Sequence, residues 1–360
     1  MVQVTHGSYR LREYTAGDLD EVARLQRYLL GEDIGLNAAY LRWKYHDNPQ
    51  GDRPWAIVAE HPHDGIVGFR GFIPSLWEQG AGGPTLPLLA LADTCVDAGH
   101  RRQGLFEGMT RLALECFADS GFEAVINLST SPRPAPGYIK MGWEVFAHHG
   151  QVVRATPRGL WRRLTGRPAS GQAVADGRSS GFAWSIESEP RPREMAAVVA
   201  AAAEPGAHFR LRRDEEFYSW RYGNIRERYS FAYARRDGRL EAFVAVRAEA
   251  APGAGAVVDH AERAPRGVAV LADGLLSSGC FDVLSVWDVR PHDAAGEAWR
   301  RRGFRSLDGL KRLARQARPP MPLLIRPLKP EVAAGDWIRH GRDLRERTSW
   351  NIAEICSDGS

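Results

Sequence analysis

Two short phrases in this chain are each written twice. Tyr40-Leu41-Arg42-Trp43-Lys44-Tyr45 returns as Phe217-Tyr218-Ser219-Trp220-Arg221-Tyr222, an aromatic residue followed at the same spacing by Trp, a basic residue and Tyr. Tyr138-Ile139-Lys140-Met141-Gly142-Trp143 returns as Trp299-Arg300-Arg301-Arg302-Gly303-Phe304. The echoes keep their order and stand about 160 to 177 residues apart, as an internal duplication requires. Whatever the first half folds into, the second half repeats. The length of 360 residues agrees, since ~100–200 residues per domain makes two.

The first copy alternates strand-like and helical stretches. Ser8 to Tyr14 reads as a strand, and Thr15 with Asp18 as a capping box before the amphipathic run Leu19, Val22, Leu25, Leu29. A second helix carries Tyr40 to Tyr45 and stops at Asn48-Pro49. Trp55 to Glu60 and Ile66 to Ile73 form a hairpin around Asp64-Gly65. Next come the long apolar strand Leu88 to Val96, a helix, the buried strand Ala124 to Ser129, a Pro-rich turn, the Tyr138 segment and a strand pair ending near Thr156. The order is β-α-α-β-β-β-α-β-α-β-β. We expect an α/β fold with mixed sheets, residues 1–156 forming the first domain, 157–182 a linker and 183–360 the second. The tail segment Pro322 to Leu328 is expected to complete the second sheet.

The chemistry concentrates between Leu86 and Phe117. The strand Leu88 to Val96 is interrupted only by Asp93 and Thr94, and Leu105, Met109, Leu112, Ala113, Cys116 and Phe117 then recur at helical spacing. Between them lies a basic turn, Arg101-Arg102-Gln103-Gly104. Such a turn exposes backbone N–H groups at a helix N-terminus, which suits a phosphate or pyrophosphate.

That turn resembles the acyl-CoA signature of the GNAT superfamily of acyltransferases, Arg/Gln-x-x-Gly-x-Gly/Ala after a strand ending in Val. Here Val96 precedes Arg101-Arg102-Gln103-Gly104-Leu105, with Phe106 where Gly or Ala is usual. The resemblance implies that CoA lies against Thr94, Cys95, Val96 and Arg101 to Phe106, with the pantetheine arm in a gap between this strand and Ala124 to Ser129. It also implies that Tyr138, in the family's Tyr-x-x-x-Gly-Phe position, acts as general acid toward the leaving thiolate. A phenol of pKa about 10 suits a sulfur of pKa about 8.5. Asp93 is the only carboxylate on the strand before the turn. It is therefore the candidate base for the acceptor amine, or else a structural carboxylate bonded to a neighbouring backbone or to the Trp43–Tyr45 segment; a bulge would decide which face it occupies. Ser129 and Ser131 could orient acceptor or thiol, or simply cap turns.

The second copy departs from this pattern. Trp299 stands where Tyr138 does and has no proton to deliver. Arg263-Ala264-Pro265-Arg266-Gly267-Val268-Ala269 keeps Gly-x-Ala, but Pro265 removes a backbone donor. This copy reads as degenerate, with a structural or acceptor-shaping role. The chemistry then falls to the first copy: an N-acyltransferase moving an acyl group, acetyl in the simplest case, from a CoA thioester to a small-molecule amine. Two readings on the same fold are a carrier-protein donor and, since Fem-type transferases are paired GNAT folds, an aminoacyl-tRNA donor; a third is a non-catalytic paired scaffold.

Composition sets limits on these. A net charge of +4 favours acidic partners such as CoA phosphates or an acyl carrier protein, and falls short of what nucleic acid demands. The four cysteines are scattered with no Cys-x-x-Cys pair, as expected of reduced thiols in a cytoplasmic protein, and no metal is expected. No 18-residue apolar segment suggests a membrane span.

Overall fold

The structure, a computed structural model, describes residues 3–129, 135–165, 174–202, 208–287, 299–306 and 321–357. Among these, the two large sheets are drawn from the short strand Trp350–Asn351 and seventeen others. In chain order they are β1 (Gln3–His6), β2 (Tyr9–Glu13), β3 (Trp55–His61), β4 (Gly65–Gln79), β5 (Thr85–Val96), β6 (Ala124–Asn127), β7 (Glu144–His148), β8 (Gln151–Ala155), β9 (Ala175–Ser179), β10 (Phe182–Glu187), β11 (Phe209–Leu211), β12 (Tyr229–Arg236), β13 (Arg239–Ala248), β14 (Ala254–Glu262), β15 (Val283–Trp287), β16 (Arg305–Ser306) and β17 (Pro322–Pro327).

The duplication is visible in the strand order. One sheet runs β1-β2-β3-β4-β5-β6-β17-β7, and the other, read from the matching edge, β9-β10-β12-β13-β14-β15-β8-β16. Each has a parallel pair at the same place in the order, β5 with β6 and β14 with β15. The β3–β4 and β12–β13 turns fall at the two Asp-Gly pairs: Gly65 has φ +70°, and Asp237 and Gly238 have φ +51° and +78°. A two-residue turn with both φ positive matches the twist of the strands it joins.

The seventh position of each sheet is filled from the other half of the chain. β17 lies between β6 and β7, with Ile325 opposite both Ile126 and Glu144. β8 lies between β15 and β16, with Val153 opposite both Ser285 and Arg305. This corrects the expectation that Pro322 to Leu328 completes the second sheet. It completes the first, and the strand ending near Thr156 belongs to the second. Two copies of one fold offer an apolar strand two equivalent slots, so composition cannot say which it enters. The segment expected as a linker also carries structure: residues Pro157–Thr165 are helical, and β9 is an edge strand of the second sheet. Arg158 and Arg162 of that helix reach Asp282 at 3.4 and 3.1 Å.

Three apolar clusters hold the molecule. Alternate residues of β5 point to opposite faces, Leu86, Leu88 and Ala90 into one cluster, Leu89 and Leu91 into a second beneath the helix Leu105–Cys116. The third lies under the matching helix Gly267–Ser277. The first cluster is shared, since Leu41, Phe69 and Trp77 pack in it with Phe217, Phe231 and Phe243. At the seam the repeated tryptophans meet face to face. Trp43 and Trp220 stack with centroids 5.2 Å apart, and each indole N–H donates to the other's carbonyl, at 2.7 and 2.8 Å. The echo in the sequence is thus a local twofold contact between copies. No helix among the described residues is long and apolar enough to cross a membrane.

The C-terminal tail closes over the shared cluster with Trp350, Ile352, Ile355 and Cys356. There Glu354 is buried beside Arg247, at 2.8 Å, with Glu249 and Glu227 also on that guanidinium. Burial first, then repulsion from those carboxylates, pushes Glu354 up to about 7, although Arg247 opposes this. A folded-state pKa above the unfolded one means that folding takes up a proton. The contribution is complete below about 4.5 and is lost as pH rises through about 7. It amounts to about 3 kcal/mol at most. Glu354→Gln should therefore gain Tm relative to wild type at pH 8 by about 5 °C and lose that advantage near pH 5. Calorimetric melts across this range check it; parallel pH curves would rule the coupling out.

Candidate acyl-transfer site

The site is built on a bulge. β4 and β5 pair with Phe69 opposite Cys95 and Gly71 opposite Ala92, so Arg70 faces two residues, Asp93 and Thr94. Asp93 takes a left-handed φ of +38° to fit the extra residue. The bulge shifts the phase of the strand. Asp93 turns to the face of the Arg42–His46 segment, and Thr94 to the face that carries Tyr138.

On the Asp93 side, the helix Ile34–Leu41 runs on into a single π turn, Arg42–His46, which places Lys44 and Tyr45 beneath the strand. Lys44 Nζ lies 2.9 Å from Asp93 Oδ2, and Tyr45 Oη donates to the same oxygen at 2.8 Å. Gly71 leaves the room for that phenol: a Cβ there would lie 1.9 Å from Tyr45 Oη. Asp93 is thus bonded to the Trp43–Tyr45 segment, as one of its two expected roles required, and this anchors the bulge.

On the other side lies a residue that the sequence reading passed over. Arg70 is fully buried and donates through Nη2 to Tyr138 Oη at 2.7 Å and through Nη1 to Thr94 Oγ1. Its guanidinium lies 5.1 and 5.2 Å from the ring centres of Tyr138 and Phe106. Its Nε has no hydrogen-bond partner, and among the described residues no carboxylate pairs with it. A buried cation held only by hydroxyls is costly, by several kcal/mol per ion, unless something else uses the charge. The available signal was a lone cation inside an apolar strand.

Tyr138 lies in the short helix Ala135–Lys140 and is buried, its ring edge-on to Phe106 and Trp143 at 5.1 and 5.4 Å. Its carbonyl accepts from Met141 and Trp143 N–H around Gly142 at φ +85°. Arg326 of the exchanged strand β17 donates to the Met141 carbonyl at 2.9 Å. The tail therefore fixes the segment that carries the phenol. Because Tyr138 Oη accepts from Arg70, its own proton remains available to another acceptor.

The turn behaves as its residues suggest. Arg101, Arg102, Gln103 and Gly104 are exposed, with Arg102 and Gly104 at φ +65° and +75°. Arg101 Nε donates to the Val96 carbonyl at 3.2 Å. No side chain among the described residues accepts from the first N–H groups of the helix that begins at Leu105. Leu105 is core, and Phe106 packs against Tyr138 and Gly137, so its bulk faces away from the turn. β5 and β6 pair only from Leu88 with Ala124 to Ala90 with Ile126, and separate beyond. Cys95 is buried, which pushes its thiol up to about 11, and its Sγ lies 3.5 Å from the Leu25 carbonyl. Ser129 is exposed near the mouth of the gap, its N–H donating to Asn127 Oδ1 at 3.2 Å. Ser131 lies outside the described residues.

The second copy has the same frame with different residues at the matching positions. Trp299 stands edge-on to Phe304 at 5.0 Å, as Tyr138 does to Trp143, and its indole reaches His260 Nε2 at 3.4 Å. Arg266 occupies the left-handed cap with φ +79°, where the first copy has Gly104. Glu262 Oε2 accepts from the Val268 N–H at 2.9 Å, so a carboxylate of the chain itself sits at this helix N-terminus. Gly267 is required by packing, since a Cβ there would lie 2.4 Å from that of Ala242.

Residues 10–146 match the model of the acetyltransferase (GNAT) domain family, so this part of the chain is a GNAT domain. No curated protein matches the sequence. Among solved structures the fold is similar to a protein from Enterococcus faecalis described as a probable N-acyltransferase, at TM-score 0.61 and 12% identity over 89% of this chain and 73% of that one. It is also similar to a GCN5-related N-acetyltransferase from Anabaena variabilis, at 0.59 and 10% over 89% and 73%. A tandem GNAT protein from the clavulanic acid biosynthesis pathway matches at 0.55 and 12%, over 90% of this chain and all of that one. At these identities the likeness is one of fold, and the fold is a tandem of two GNAT units.

Proposed function

We propose that the GNAT domain transfers an acyl group from a CoA thioester to the amine of a small molecule, with residues 1–156 supplying the donor site and Tyr138 the general acid. The pyrophosphate rests on the N–H groups after Arg101. The pantetheine arm enters between β5 and β6 beyond Ala90, where strand pairing ends. The bulge at Asp93 and Thr94 leaves backbone groups unpaired for the thioester oxyanion. The amine attacks the carbonyl carbon, the C–S bond breaks, and the sulfur takes the Tyr138 proton, which water restores. Arg70 holds the phenolate formed in that step. Asp93, already bonded to Lys44 and Tyr45, fixes the bulge, and the ammonium proton leaves to water. The second copy contributes β17 and a wall of the acceptor site.

The observation that carries this reading is the Arg70–Tyr138 pair beside the splayed strands. Calorimetry with acetyl-CoA tests it. One molecule should bind per chain, and Arg101→Ala should weaken it by roughly 10–100-fold, the worth of a charge-assisted hydrogen bond. Failure of the wild type to bind at millimolar ligand ends the proposal. A second molecule per chain would show that the Glu262-filled copy is not closed. Acetyl-CoA that binds without turnover, while a carrier-bound thioester is consumed, would shift the donor to a carrier protein.

A further inference from the structure

Away from the phenol, the turn between β3 and β4 brings three potential ligands together beside the Ala98–His100 turn. His61 Nδ1 lies 2.6 Å from Asp64 Oδ2, and His100 Nε2 lies 3.4 Å from the same oxygen. One donor atom from each residue falls within 4.8 Å of the others. Tetrahedral zinc with ligand bonds near 2.1 Å separates its donors by about 3.4 Å, so the His100–Asp64 distance already suits a shared ion. His61 Nδ1 is buried and makes no hydrogen bond, and its contact with Asp64 Oδ2 is an ion pair only when the ring is protonated. A shared ion with bonds of about 2.1 Å requires this pair to open from 2.6 Å to about 3.4 Å. Asp64 is half exposed and can move the short distance needed to admit one.

The surroundings supply what such a site needs. His100 Nδ1 lies 3.1 Å from Tyr9 Oη, so the ring can donate its Nδ1 proton to the phenol and present Nε2 as ligand. Asp64 and His100 also line a cavity of about 340 Å³ with Arg24, Arg27 and Tyr28, which leaves a further coordination position open to water or an anion. Two imidazoles and one carboxylate favour Zn²⁺, Co²⁺ or Ni²⁺ over Mg²⁺ or Ca²⁺. We propose that His61, Asp64 and His100 form a site for a divalent transition metal, which clips the β3–β4 turn to the segment that leads into Arg101. The site stands independently of the acyl-transfer reading.

Calorimetric titration of the chelator-stripped full-length protein with Zn²⁺ tests it. One ion should bind per chain and raise Tm by roughly 4 °C at a hundredfold excess over Kd. Tyr9→Phe keeps every ligand and should weaken the ion by roughly 10–100-fold, as loss of an orienting partner does. His61→Ala and Asp64→Asn should lose more than that; Asp64 is exposed enough that its variant folds, as a circular dichroism melt would verify. Co²⁺ should give the visible absorption of a four-coordinate site. Binding of no ion, or an affinity that Asp64→Asn and Tyr9→Phe leave unchanged, would overturn the proposal.

Discussion

Replacing Tyr138 by Phe should lower kcat by roughly 10²–10⁴-fold, the usual worth of a positioned acid, while leaving the affinity for acetyl-CoA within about twofold. The ring sits between Phe106 and Trp143 and keeps those contacts, so folding should survive the change. What goes is the oxygen on which Arg70 Nη2 is spent, 2.7 Å away. The two residues act as one unit in this account, and their effects should not add. Arg70→Gln alone should cost activity, because the phenolate formed on proton transfer loses its cation. In the Tyr138→Phe background the same substitution should do little more. An Arg70 effect that persists in full without the phenol would assign the arginine to packing alone. Unchanged turnover in Tyr138→Phe would remove the acid altogether.

The strand-turn-helix around Arg101, the hairpins at Asp64-Gly65 and Asp237-Gly238, and the duplication were legible because each rests on local spacing. Tyr138 and Trp299 could be set against each other for the same reason: the glycine four residues on fixes the same turn in both copies, with φ +85° at Gly142 and Gly303. What escaped depends on pairs far apart in the chain. Arg70 and Tyr138 are 68 residues apart, and nothing in Gly-Phe-Arg-Gly-Phe says which face of the strand the arginine enters. The phase of β5 also hid there, since strict alternation would have put Asp93 on the same face as Leu89 and Leu91, and only the bulge moves it toward Tyr45. Glu262 at the helix N-terminus of the second copy was equally out of sight, although its carboxylate accepts from the Val268 N–H there. The His61–Asp64–His100 cluster needs a strand, a turn and a later loop to converge before any ligand spacing exists.

Truncation after residue 320 should have the larger structural effect, destroying the first domain although it removes no residue before its end. Without Pro322–Pro327, β6 and β7 face each other across an empty slot one strand wide, and about 4.8 Å of sheet must close or stay unpaired. Leu323 and Ile325 leave one apolar cluster and Leu324 the other, so both faces of the sheet lose buried side chains at once. At about 2–5 kcal/mol for each large buried side chain, the loss reaches the whole stability of an ordinary domain. The carbonyl of Met141 also loses Arg326, and with it goes the anchor of the Tyr138 segment. The truncated chain should therefore be recovered as aggregate or as a strand-exchanged oligomer. A folded monomer with one cooperative melt could arise only if Gln151–Ala155 left the second sheet and refilled the gap in the first. Size-exclusion chromatography with circular dichroism separates these outcomes. The point variant Leu324→Asp, in the intact chain, asks the same question of a single buried position. If both melt within a few degrees of wild type, the exchanged strand is not what joins the copies, and the Trp43–Trp220 seam with the shared cluster must carry the interface instead.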